Sequence, residues 1–261
     1  MSLHVERDGA VLRLRFDSPR RNALDDATVA ALIMQLEAAG QDDGVRVVTL
    51  SGTGDDFCSG FDLVGRNQAR GERPRVGSIQ RRLPTQAHRL IPLVLEVQLP
   101  VVCVVRGWAA GIGFQLALAA DFTVAAADAR FWQPFVPRGF TPDSGATWLL
   151  PRTVGLARAR ELLILGRELS GTDAEGWGVI HRAVDGAELD READALVEQL
   201  AASATVAVGL TKRLLNTGTS LDLHAQLANE AFALELSSRS QDFKEGLAAF
   251  TERRPPEYEG R

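Results

Sequence analysis

An α/β body followed by a helical tail is the fold class that the sequence predicts, and three observations predict it. Two β-branched runs, VRVVTLSG at 45–52 and PVVCVVRG at 100–107, each stop at glycine, as buried parallel strands do. From about residue 156 onward the strand signal thins and helical patterns take over. The bulk numbers agree, since 261 residues with 45% hydrophobic and 24% charged side chains can close a substantial core without disulfides or metals.

The elements follow in order. HVERDGAVLRLRF (4–16) alternates on either side of Asp8-Gly9, a strong short hairpin signal, and reads as two antiparallel strands. DDATVAALIMQLEAAG (25–40) opens with Asp, carries apolar residues at helical spacing and ends at Gly40, which makes it a capped helix. After the strand at 45–52 comes RNQARGERPRVGSIQ (66–80), polar, basic and glycine-bearing, read as a mobile surface segment leading into a helix after Pro84. VVCVVRGWAAGIGFQLALAADFTVAAA (101–127) is apolar enough to raise the question of a membrane span. Arg106, Gln115, Asp121 and three glycines break it instead into strand, turn, helix and strand. In the last third one strand candidate remains, VIHRAV (179–184), among the helical patterns READALVEQLAA (191–202), VGLTKRLLN (208–216), LHAQLANEAFALEL (223–236) and FKEGLAAFTERR (243–254). Their apolar faces need cover from the body or from another subunit, which points to an oligomer.

The formal net charge of −5 argues against a surface built for nucleic acid, which needs a dense basic face to displace counterions. Cys58 and Cys103 are too few and too far apart for a disulfide framework, and His4, His88, His181 and His224 make no metal-ligand spacing with them. MSLHVERDGA opens without the basic flank and apolar run of a secretory signal. The expectation is a reduced, metal-free, cytoplasmic protein that needs neither nucleic acid nor membrane.

Two segments are suited to presenting backbone N–H groups. In SGTGDDFCSGFDL (51–63) a strand ends in glycine-rich chain, and Gly60 lets the backbone pass close to something before Phe61. In RGWAAGIGFQLALAAD (106–121) a helix begins near Gly111, so its free N–H groups and positive dipole end lie beside Ile112. Two such donors aimed at one point make an oxyanion hole; the alternative is a pair of turns in which glycine permits positive φ. Neither segment is a phosphate loop, a dinucleotide fingerprint or a serine nucleophile elbow, because GK[ST], GxGxxG and GxSxG are all absent from them.

Taken with RRNALDDAT (21–28) upstream and GFTPDSGATWLLPRTVG (139–155) downstream, the order and spacing of these segments resemble the crotonase family of enoyl-CoA hydratases and isomerases. The resemblance runs from the first hairpin to QDFKEGLAAFTERRPPEY (241–258). It implies a crotonase-like ββα spiral over 1–200 and a C-terminal helical trimerisation region over 201–261, assembled as a homotrimer or a dimer of trimers. It implies that the N–H groups of Phe61 and Ile112 bind the carbonyl of an acyl-CoA thioester, with Gly111 opening the helix beside it. Ala23 and Leu24, with Phe61, Asp62 and Leu63, are then expected along the CoA path, mostly through backbone groups. Arg21, Arg66 and Lys244 become candidates for its phosphates, Lys244 from a neighbouring subunit. No cofactor is implied beyond the coenzyme A carried by the substrate.

Departures from the family pattern direct the functional expectation. Family hydratases place water with two glutamates, and the matching positions here hold Gln115 and Phe135, neither of which can accept a proton. One acid remains, Asp143 in PDSGATWLLPR. As a residue it suits the N-cap of the following helix; by resemblance it stands where dienoyl-CoA isomerases and phenylacetate-pathway ring-epoxide isomerases carry a catalytic aspartate, with the latter the closer in motif. The expected function is an acyl-CoA isomerase in which Asp143 moves a proton beside an enolate, Gln115 orients substrate or water, and Trp132, Phe135 and Trp148 dry the pocket. The alternatives are a hydratase running on Asp143 with water held by Gln115, and a silent acyl-CoA-binding protein.

Overall fold

The computed structural model describes residues 2–63 and 75–261. Strand β1 (Ser2–Asp8) turns through Gly9 and Ala10 into β2 (Val11–Asp17), antiparallel, with Asp8 opposite Val11. The remaining strands of this six-stranded sheet are parallel, β3 (Val47–Gly52), β4 (Val101–Val105), β6 (Phe122–Ala126) and β9 (Arg182–Val184), in the order β1-β2-β3-β4-β6-β9. The runs forming β3 and β4 are apolar on both faces because both faces are covered. Val11, Val47 and Val102 pack with Val197 in one cluster, and Val48, Leu50, Val101 and Cys103 belong to the main core.

A second sheet holds β5 (Trp108–Ala110), β7 (Arg130–Trp132) and β8 (Leu169–Ser170). The chain alternates between the two sheets before each helix: β4, β5 and α4 (Ile112–Ala119), then β6, β7 and α5 (Ala146–Leu163). The preceding turn follows the same course, with β3 in the large sheet, Cys58 bridged to Ala109 in the small one, then α2 (Ser78–Arg82) and α3 (Ala87–Glu96). This is the ββα spiral that the resemblance implies. Helix α4 lies at its centre, and its small and apolar residues suit burial on nearly every side.

Helix α1 (Asp26–Ala39) starts where the sequence places it, capped by the Asp25 carboxylate accepting from Thr28 N–H at 2.8 Å. Three readings need adjustment. Strands β5 and β8 were not expected; they are three and two residues long, too short to show a period. The strand at 179–184 shrinks to Arg182–Val184, because only those residues reach β6. The surface segment read at 66–80 is already helical from Ser78, ahead of the expected helix after Pro84, and its residues 66–74 lie outside the described residues.

The later helices are α6 (Gly171–Gly176), α7 (Leu189–Ala201), α8 (Thr205–Gly218), α9 (Leu223–Ser237) and α10 (Gln241–Glu252). Helix α8 is tied to the body by Lys212, whose Nζ donates to the carbonyls of Val94 and Leu99 and to Asp121 Oδ2 at 2.8, 3.0 and 2.7 Å. Burial lowers the Lys212 pKa and raises that of Asp121, and their mutual attraction opposes both shifts. By contrast α9 and α10 leave Leu223, Leu227, Phe232, Leu234, Leu247 and Phe250 exposed. No single helix among the described residues is long and apolar enough to cross a membrane.

Candidate active site

The amide half of the site is built from backbone. Asn22 is buried with φ 56, a left-handed conformation that Asn tolerates, and its Nδ2 donates to the carbonyls of Thr53 and Asp56 at 2.9 and 2.6 Å. That ties the RRNAL segment to the end of β3. Leu24 then pairs with Phe61: Leu24 N–H donates to Gly60 O and Asp62 N–H donates to Leu24 O, each at 2.8 Å. A pair of this pattern turns the Phe61 N–H to the edge opposite Leu24. Gly60 has φ 112, and a methyl group there would stand 3.3 Å from the Ala110 carbonyl oxygen, so this edge lies against β5 and Gly111.

Gly111, with φ 53, sends its own N–H to Trp132 O at 3.0 Å and leaves Ile112 as the first residue of α4. The Ile112 N–H therefore has no carbonyl within its helix to reach. Each of the two amides follows a positive-φ glycine, and a methyl group added at Gly111 would stand 3.8 Å from the Gly60 Cα.

The acid half is built from side chains. Asp143 does not cap α5: the N-cap is Gly145 with φ 83, and no side chain bonds the free N–H groups there. Its backbone carbonyl does that work, accepting from Ala146 N–H at 3.1 Å, while the carboxyl is half-buried in a cavity wall. Burial pushes the Asp143 pKa up from the ordinary carboxylate value, opposed by a hydrogen bond with the Ser144 side chain and by the charge of His88. Gln115 is fully buried; its Nε2 donates to Gln133 Oε1 and to the Asp143 carbonyl, both at 3.3 Å. Its Oε1 and the Gln133 Nε2 are buried without partners.

Gly60, Phe61, Leu63, Gly111, Ile112, Phe135 and Asp143 line one cavity of about 380 Å³, which Ile79, Leu83 and Phe140 help to close. Phe135 and Phe140 meet edge to face at 5.4 Å between centroids. Arg138 and the exposed Asp26 also line it, Arg138 lying over the Trp132 ring at 5.2 Å.

Several residues expected at the cavity stand elsewhere. The Gln115 side chain does not line it, so it is not placed to orient substrate or water; the acid's own backbone occupies it. Trp132 faces away, its Nε1 donating to Gly166 O at 2.9 Å and its ring against Trp108. Trp148 lines a neighbouring cavity beneath Arg152 rather than this one. The Ala23 and Leu24 side chains are buried, which leaves only their backbone available to a ligand. Asp62 is held by both carboxylate oxygens to Arg20 Nη1 at 2.7 and 2.9 Å, and Arg21 Nε lies 3.7 Å from Asp56. Lys244 lines a separate, acid-rich pocket between α10 and the C-terminal residues and is not brought to the cavity within one chain. Arg66 lies outside the described residues. Sequence reasoning missed Gln133 and His88, since contacts spanning 18 and 56 residues leave no periodic trace, and it missed Arg138 over the Trp132 ring.

A spiral that sets two glycine-turned amides against a half-buried acid is a protein of the crotonase fold. The chain belongs to the enoyl-CoA hydratase/isomerase family, whose sequence profile matches residues 6–261. It is 39% identical over 261 residues to the 1,2-epoxyphenylacetyl-CoA isomerase of Escherichia coli (strain K12), covering 99% of this chain and 97% of that one. It is 33% identical over 265 residues to the carnitinyl-CoA dehydratase of Salmonella heidelberg (strain SL476), covering 100% and 99%. Among solved structures, an enoyl-CoA hydratase from Bacillus anthracis matches with a TM-score of 0.92 and 30% identity over 100% of both chains. Relatives named for isomerisation, dehydration and hydration share this fold, so the reaction has to be argued from the site.

Proposed function

We propose that the protein is an acyl-CoA isomerase in which Asp143 is the acid/base. The observation that carries this reading is the carboxyl of Asp143: it is released from helix capping and lines the same cavity as the Gly60–Phe61 and Gly111–Ile112 peptide units. In this reading the thioester carbonyl oxygen accepts from the Phe61 and Ile112 N–H groups. Asp143 removes a proton from the acyl chain, and the electron pair of the broken C–H bond moves into the enolate. The two N–H groups stabilise the charge on oxygen. The proton returns to a different carbon, so the double bond moves and the formula is unchanged.

The raised Asp143 pKa supports a base that is stronger than an ordinary carboxylate. Phe135 and Phe140 keep water from the enolate. Hydration finds less support, because Gln115 is withdrawn behind Asp143 and Phe135 fills the other position where water is placed in family hydratases. The substrate brings its own coenzyme A, and no other cofactor enters the reading. The exposed apolar residues of α9 and α10 support a homotrimer or a dimer of trimers, in which Lys244 of one subunit reaches the CoA phosphates of the next. A cytoplasmic location goes with this reading.

Mass spectrometry tests it, using 2-enoyl-, 3-enoyl- and phenylacetyl-derived CoA thioesters incubated in deuterated, oxygen-18 water. Deuterium uptake without labelled oxygen, absent in Asp143→Asn, is the expected result. Labelled oxygen in the product would establish hydration. Tight binding with no exchange would establish a silent acyl-CoA binder.

A further inference from the structure

The carbonyl of Asp143 and the N–H of Ser144 belong to one peptide unit, and two side chains hold its opposite edges. Gln115 on α4 donates to the carbonyl at 3.3 Å, and the Ser144 N–H donates to His88 Nε2 on α3, also at 3.3 Å. Between them the plane cannot rotate without losing a hydrogen bond on each side. Ser144 is 3% exposed and sits at φ 48, a left-handed conformation that a side-chain-bearing residue adopts at a cost and keeps only when its surroundings impose it. Gly145 continues in the same region with φ 83. The plane of the 143–144 peptide sets ψ of Asp143, and with it the direction in which the Asp143 side chain leaves the backbone.

We infer that His88 is a positioning residue for Asp143: its neutral imidazole accepts the Ser144 N–H and so keeps the acid aimed into the cavity. The inference rests on Asp143 acting as the acid/base. For His88 to accept at Nε2 its proton must sit on Nδ1, so the doubly protonated ring cannot hold the peptide. His88 faces a second cavity of about 730 Å³ on the far side of Ser144, where Glu96 from α3 and Arg213 from α8 are the other charged groups. Asp143 is the acid across the wall. That second cavity gives solvent a route to the back of the clamp without passing the substrate.

Two variants separate the acceptor from the packing. His88→Leu fills the volume and accepts nothing, whereas His88→Gln offers an amide oxygen close to the position of Nε2. The expected result is a fall in kcat of at least tenfold for His88→Leu, with KM changed by less than threefold, and recovery to within threefold of the parent in His88→Gln. The acid limb of the pH profile should move to higher pH in His88→Leu, because the loosened Ser144 no longer holds its hydrogen bond to the carboxylate. The Ser144 amide resonance reports the contact without turnover, lost in His88→Leu and kept in His88→Gln. Parent-like kcat and pH profile in His88→Leu would overturn the inference, as would a His88→Gln that falls as far as His88→Leu. If instead Asp143→Asn turns over like the parent, the acid/base reading itself fails, and the Ser144 resonance still tells whether His88 holds the peptide.

Discussion

The two halves of the cavity are held by different means. Around Phe61 and Ile112 the restraints are main-chain apart from the Asn22 amide that ties the segment before Leu24: the Leu24–Phe61 pairing, a helix start and two positive-φ glycines. Around Asp143 they are side-chain: Gln115 on one edge of a peptide and His88 on the other. A backbone-built donor pair is indifferent to most substitutions but intolerant of a Cβ at the glycines. A side-chain-built acid can be altered by single substitutions in neighbouring helices. This difference teaches where such a fold is able to change its chemistry: single substitutions can alter the side-chain-held acid while leaving the main-chain donor pair in place.

The largest effect expected is at the acid. Asp143→Asn should lower kcat on a good substrate by about 10²–10⁴-fold, the range of a lost general acid/base. Its urea midpoint should not fall, because no cap is removed; a capping aspartate would lose about 1 kcal/mol. A lowered midpoint with intact turnover would reverse the assignment. Next come the glycines. Gly60→Ala and Gly111→Ala should each cost about 10²–10³-fold in kcat as an N–H is displaced, and about 1–3 kcal/mol of stability from forced positive φ. Gly60 should suffer more, since its added methyl also meets the Ala110 carbonyl at 3.3 Å.

A smaller effect sharpens the contrast. Gln115→Leu should reduce kcat about tenfold by removing one of the two donors to the Asp143 carbonyl, and lose about 1–2 kcal/mol by stranding the Gln133 amide. The double variant Gln115→Leu with Gln133→Leu should regain stability, because a half-satisfied polar pair is then replaced as a unit. It should not regain turnover, since the Asp143 carbonyl still lacks the Gln115 donor on that edge of the peptide. Guanidinium unfolding and steady-state kinetics on the three proteins separate the two terms.

The smallest effect is in pH dependence. Burial raises the Asp143 pKa in the folded protein, so the folded state binds that proton more tightly than the unfolded chain. The parent therefore loses stability as pH rises from the ordinary carboxylate value through the raised one. Asp143→Asn lacks that loss, so its stability relative to the parent should grow across this window and then level off. Unfolding measured at several pH values should show this crossing; a relative stability independent of pH would mean that the carboxyl is solvated in the folded state.

Short-range chemistry was readable. The Asp8-Gly9 turn, the Asp25 cap, the β-branched strands and the glycines at 60 and 111 carry their conformational preferences in neighbouring residues, so hairpin, helix, strands and amide-bearing turns were legible. Asp143 was legible as a candidate but not as an answer, because Pro-Asp-Ser-Gly suits a cap as well as a cavity. Trp132 was assigned to the cavity on residue type and Gln115 on its match to a family glutamate, and neither says on which side of a strand or helix this side chain emerges.

By itself, then, the sequence determined the local elements, their order and the presence of one acid among apolar residues. Only tertiary structure decided where the carboxyl of that acid lies. The helix after it begins at Ala146 with Gly145 as its cap, which frees the carboxyl. The peptide that aims the carboxyl is gripped by residues 28 and 56 positions away. Propensity acts over a few neighbouring residues, whereas a hydrogen bond across packed helices depends on the register of α3 against α4, which exists only once the core has closed.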